Sequence, residues 1–123
     1  MTEYWHTVIG RQFAATIQMT RAAIDACPDS LWDDRTEGSP FWHIAYHALF
    51  YTDLYLSPDL ASFQPRDFHT DSAHFLPGDY RDYGGVVGTP ETAFTRAQLL
   101  EYADHCLRKS DEAVKTLTDT RVL

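Results

Sequence analysis

From Thr2 to about Cys27, the apolar residues Trp5, Ile9, Phe13, Ile17 and Ile24 recur mostly at four-residue steps, while Arg11, Gln18, Arg21 and Asp25 fall largely elsewhere. Residues three and four apart share one side of an α-helix, so this spacing predicts an amphipathic helix of about six turns. Pro28 ends it, because proline has no N–H to give the helical ladder. Asp29 to Gly38 reads as a polar connection into which Leu31 and Trp32 insert an apolar plug.

A second helix is predicted from Phe41 to about Leu56. Ser39 suits the N-cap, Pro40 suits the first helical position where its missing N–H costs nothing, and Ser57-Pro58 stops the helix. At 100° per residue, Phe50, His43, Leu54, His47, Tyr51 and Ile44 fall on one arc, with Ala45, Leu49 and Leu56 opposite. A helix that is apolar nearly all round sits at the centre of a fold or against another subunit.

The third helix has the best start signal. Thr95 at N-cap and Gln98 at N3 make a capping box, and Phe94 and Leu99 stand where a hydrophobic staple requires them. Leu99, Ala103, Cys106, Ser110, Ala113, Val114 and Leu117 then form one narrow stripe. Glu101, Asp104, His105, Arg108, Glu112 and Lys115 lie opposite, and the helix fades at Thr118-Asp119. No strand pair with hairpin turns appears, so the expectation is one all-α domain over residues 1–123, an up-down bundle with three long helices.

Between the second and third helices lie 33 residues, Ser57 to Thr89, against the usual connection of about 2–8. Phe63, Phe68, His69, His74, Phe75, Tyr80 and Tyr83 make this segment too aromatic for a free linker. It is expected to be an ordered crossover packed on the helices, turning at Gly84-Gly85 and Gly88.

Composition narrows the partners. Lys+Arg of 10 against Asp+Glu of 18 gives a net charge of −8, which repels phosphate backbones and anionic lipid. Nucleic acid and membrane surfaces are therefore excluded as expected partners. Met1 to Gly10 has no basic n-region, and no window approaches the roughly 18 apolar residues of a membrane span. A cytoplasmic chain is expected. Cys27 and Cys106 lack C-x-x-C spacing and read as reduced thiols.

The sharpest candidate chemistry is His43-Ile44-Ala45-Tyr46-His47, which places two imidazoles four residues apart on one helical face. Zinc proteases share the spacing but need Glu directly after the first His, where this chain has Ile44. Glu3-Tyr4-Trp5-His6 is a single Glu-x-x-His spacing with no second copy, and Gly84–Gly88 lacks the Lys of a phosphate loop. Asp67, His69, Asp71 and His74 have ligand chemistry without fixed geometry and read as turn residues that cap local backbone. His105, among acidic and basic neighbours, reads as solvated surface. Burying imidazoles requires that their nitrogens be satisfied. His43 and His47 are accordingly either core histidines bonded to neighbouring groups or ligands of a metal at the bundle centre.

The second helix carries a family resemblance. The stretch Ser39-Pro40-Phe41-Trp42-His43-Ile44-Ala45-Tyr46-His47-Ala48-Leu49-Phe50-Tyr51-Thr52-Asp53-Leu54-Tyr55-Leu56 resembles the DinB-like superfamily of helical-bundle proteins. A Trp near the helix start, a His, an aromatic run and an acidic residue follow in the family's order. The resemblance implies a metal-ligand position at His47, with His43 its neighbour, for a divalent ion: zinc, nickel or iron. It also implies a homodimer and, in some relatives, metal- and thiol-dependent transfer or hydrolysis acting on a small-molecule substrate. Two further His on a fourth helix complete the family's ligand set, and no His follows Leu117 here. A shortened member, or a helix supplied by a partner subunit, is the corresponding expectation. The alternative function is a non-enzymatic helical dimerisation module with structural histidines.

Overall fold

The computed structural model describes residues 2–70, 73–76 and 89–115, with side chains from Thr7 onward. Among these, all regular structure is helical: α1 (Thr2–Ala26), α2 (Asp29–Trp32), α3 (Phe41–Leu56) and α4 (Arg96–Lys115). The all-α expectation holds, with the three long helices where the periodicity puts them; the strict up-down order does not, because α3 and α4 run the same way, Trp42 beside Phe94 at one end and Asp53 beside Lys109 at the other. The side chains of Glu3, Trp5 and His6, together with Asp71, Tyr80, Tyr83, Gly84, Gly85, Gly88, Leu117, Thr118 and Asp119, lie outside the described residues.

Helix ends follow local chemistry, with one correction. The capping box of α4 forms in both directions: Thr95 N donates to Gln98 Oε1 at 2.8 Å, and Gln98 N donates to Thr95 Oγ1 at 3.0 Å. At α3, Ser39 is not the cap. Pro40 occupies that position with extended backbone, and its carbonyl accepts from His43 N and Ile44 N. A ring that fixes φ near −65° sets the starting geometry without any side-chain bond. Just before it, Gly38 turns the chain at φ +114°, a region that disfavours any residue with a Cβ. The Leu31-Trp32 plug is the end of the one-turn α2, whose Trp32 Nε1 donates to Phe94 O at 2.9 Å while Leu31 stays half exposed.

α4 runs antiparallel to α1 and packs along most of it. Arg96 donates to the Ile24 and Asp25 carbonyls at the C-terminal end of α1, and its guanidinium lies 4.8 Å from the Trp32 ring centre. Farther along, Arg21 pairs with Asp104 at 2.8 Å. At the other end the helices approach so closely that a Cβ at Gly10 would sit 3.2 Å from Val114 Cγ1. Leu99, Tyr102, Ala103 and Cys106 of α4 meet Ile17 and Ile24 of α1 and Trp42, Tyr46 and Leu49 of α3 in one buried cluster. The α4 stripe is thus as expected from Leu99 through Ala103 and Cys106 to Ser110, with Tyr102 added to it, while Ala113 and Val114 are half-buried. In α3 the buried side is Trp42, His43, Ala45, Tyr46, Leu49, Phe50 and Asp53, whereas Ile44 and Tyr55 are exposed. The helix turns this side to α4 and the crossover and touches α1 only sparsely.

Asp53 is completely buried in this packing. Tyr102 donates its hydroxyl to Oδ2 at 2.7 Å, and Lys109 Nζ donates to Oδ1, to the Asp53 carbonyl at 2.9 Å and to Ser57 Oγ at 2.7 Å. Lys109 therefore pairs the carboxylate and also caps the C-terminal end of α3. His105, read from sequence as solvated surface, belongs to this cluster: its Nε2 lies 3.4 Å from Asp53 Oδ1 and its Nδ1 lies 3.3 Å from Arg66 Nη1. Arginine can only donate, so Nδ1 is the acceptor and the His105 proton is assigned to Nε2, facing the carboxylate. A buried anion draws donors from the flank of a helix that otherwise faces water. Cys106 beside it is buried, and burial, helped by the Asp53 charge, pushes its thiol up to about 12.

Removing the carboxylate should strand the Lys109 ammonium. Asp53→Ala is expected to cost about 3 kcal/mol in denaturant unfolding. Asp53→Leu combined with Lys109→Met should recover most of that loss, because the apolar pair leaves no charge unpaired.

Candidate functional site

The two histidines singled out by spacing do not converge on one point. His43 is fully buried, with its ring stacked on Trp42 at 5.1 Å between centres. Its Nε2 lies 2.9 Å from the Ala73 carbonyl, which can only accept, and its Nδ1 lies 3.2 Å from Thr89 Oγ1. Both nitrogens are engaged by protein groups, which leaves no lone pair for a metal ion. One turn on, half-buried His47 places Nδ1 2.7 Å from the His74 carbonyl. That nitrogen is therefore the protonated one, and Nε2 keeps its lone pair. The pair grips two successive carbonyls of the crossover, Ala73 and His74.

Tyr46, on the same side of α3, makes a short hydrogen bond to His69 Nδ1. Burial raises the Tyr46 pKa, so the phenol keeps its proton and donates it. His69 and His74 lie with ring centres 5.3 Å apart, and both stack on Phe50, at 5.3 and 4.4 Å. These two were read from sequence as turn residues. The structure corrects that: their rings pack against α3, because a flat imidazole covers an aromatic face well. The signal available in sequence was the density of aromatics around them. Among the described residues, the buried His74 Nδ1 has no hydrogen-bond partner. Burial is the leading cause that lowers the pKa of both His43 and His74, and the nearby His69 and His47 lower His74 further.

The donor set does not complete a metal centre. Among the described residues, no group of three or more His, Cys, Asp or Glu is placed to hold an ion. His47 offers one oriented imidazole nitrogen, and no three-donor set of the kind expected for zinc, nickel or iron forms around it among those residues.

A second feature lies on the other side of α3. Where α1 and α3 diverge, they leave a groove of about 460 Å³ lined by Ile9, Phe13 and Ile17 from α1 and by Ala48, Tyr51 and Tyr55 from α3. Thr16 and Thr52 also line it. Their hydroxyls donate back to Gln12 O at 2.9 Å and Ala48 O at 2.8 Å within their own helices. The groove wall is therefore less polar than its sequence suggests.

His43, His74 and His105 all sit below the ordinary imidazole value, with burial the leading cause. Their stabilising effect is complete above the unfolded value of about 6.5 and drains as pH falls from there through the lowered folded values. Denaturant midpoints should accordingly drop on acidification from neutrality. His74→Phe should flatten that dependence and raise stability at neutral pH by about 1 kcal/mol, since it removes a buried nitrogen without a partner.

Comparison with protein-family models, with curated proteins and with solved structures returned no match.

Proposed function

We propose that this chain is a non-enzymatic helical pairing module, whose histidines fasten the crossover to α3 and whose open α1–α3 side meets a second copy of the chain. The observation that carries this reading is the pair of engaged nitrogens on His43: the most deeply buried histidine is bonded as a structural fastener. The pairing side is supported by the exposed Phe13, Ile44 and Tyr55 around the α1–α3 groove. Apolar side chains gathered on one side commonly mark an interface. The only ionised groups of α1 and α3 between Thr7 and Leu56 on these two helices are Arg11, Arg21, Asp25 and the buried Asp53. In a chain of net charge −8, that side is where two copies meet with least repulsion.

Analytical ultracentrifugation tests it. The wild type should sediment as a dimer, and Phe13→Glu with Tyr55→Glu should sediment as a monomer with unchanged helicity, because both side chains are exposed. A wild type that stays monomeric at every accessible concentration, or a double variant that still pairs, sinks the reading.

One observation favours a second reading, a DinB-like protein that holds a divalent ion at His47. An Nδ1–H donated to a backbone carbonyl, with Nε2 left bare, is the orientation that metal-bound histidines commonly have. The metal would polarise a substrate or lower the pKa of a bound thiol or water. Metal content of the purified protein decides it: stoichiometric zinc, nickel or iron that is lost in His47→Ala supports this reading, and none in the wild type removes it.

A further inference from the structure

The groove between α1 and α3 has a size and an electrical character that select among occupants. Its walls run from Val8 to Ile17 on α1 and from Ala48 to Tyr55 on α3, which at about 1.5 Å per residue gives a length of roughly 12 Å. Its volume of about 460 Å³ lies within the range of about 300–1,000 Å³ of pockets that hold small molecules.

Among the described residues, no Asp, Glu, Lys, Arg or His lines it. A charged ligand group would lose water there and find no partner. The threonine hydroxyls are already committed to their own helices, so the polar groups that face a ligand are neutral ones, the Gln12 amide and the phenol of the exposed Tyr55 among them. Phe13 and the rings of Tyr51 and Tyr55, whose centres are 6.2 Å apart, offer aromatic surface.

We infer that this groove binds an uncharged aromatic molecule of small-metabolite size, held by ring packing and with at most one or two neutral polar substituents. The inference concerns the same side of the molecule as the pairing reading but does not rest on it, since one chain supplies every wall.

Two fluorescent probes of nearly the same ring body test it on the full chain. 1-N-Phenylnaphthylamine is neutral, whereas 8-anilinonaphthalene-1-sulfonate carries a sulfonate. The neutral probe should bind saturably at one per chain, and the sulfonate about tenfold more weakly or worse. Ala48→Trp, which fills the groove from an exposed position, should abolish binding of the neutral probe with helicity retained. Thr16→Tyr, from the opposite wall, serves if the first variant fails to fold. Leu60→Trp, exposed and outside the groove, should bind as the wild type does. Non-saturable uptake, equal affinity for both probes, or undiminished binding by folded groove-filled variants overturns the inference. Sedimentation of the same samples separates the two proposals: a monomeric chain that binds the probe ends the pairing reading alone, and a dimer that does not bind ends this one alone.

Discussion

A carboxylate with no exposed surface organises this molecule. Taking Asp53 out of water costs several kcal/mol, and the cost is met only because Tyr102 and Lys109 arrive from α4 in the right places. A purely apolar seam between α3 and α4 would tolerate a shift of one turn with modest change in buried area. Here such a shift would part Asp53 from both donors at once and leave ions unpaired. The pairing therefore fixes how α3 lies against α4, and through α4 how both lie against α1. Arg66 and His105 extend the same network to the crossover, so that segment too is referred to one buried charge.

The crossover itself is held by side chains of α3 acting on backbone carbonyls. Four positions within about two turns, His43, Tyr46, His47 and Phe50, hold it between His69 and His74. Imidazoles suit this work because a neutral ring donates at one nitrogen and keeps a flat apolar face for stacking. His43 does both, bonding Ala73 while lying on Trp42. The concentration of histidine and aromatic residues in this acidic chain thus has an account in packing, independent of any ion.

Much of the architecture was legible in the residues. Four-residue apolar spacing located α1, the Thr95–Gln98 capping box located the start of α4, and the α4 stripe named its buried side. The orientation of α3 was not legible, because a helix apolar on nearly every side carries no periodic signal. Its true inner side is set by Asp53, a charged residue that a hydrophobic pattern assigns outward. His105 was misplaced for the same reason: a buried anion some fifty residues away in sequence decides where it points. His69 and His74 lacked any helical frame from which to judge direction. The His43–His47 spacing was real, but spacing alone does not say whether two imidazoles converge on an ion or reach for separate carbonyls.

One arrangement described above bears on how the chain comes into being. Cationic side chains of α4 close the C-terminal ends of both neighbours: Arg96 on the last carbonyls of α1, and Lys109 on those of α3. Chains emerge from the ribosome N-terminus first. α1 and α3 are thus made well before the residues that finish their final turns. Until α4 is released, Ser57 closes the end of α3 only in part, the Ile24 carbonyl lacks Arg96, and Asp53 has no cation to receive it. Consolidation of these helices therefore waits on α4, and any pause in synthesis ahead of Arg96 leaves a nascent chain with two frayed helices and an open core.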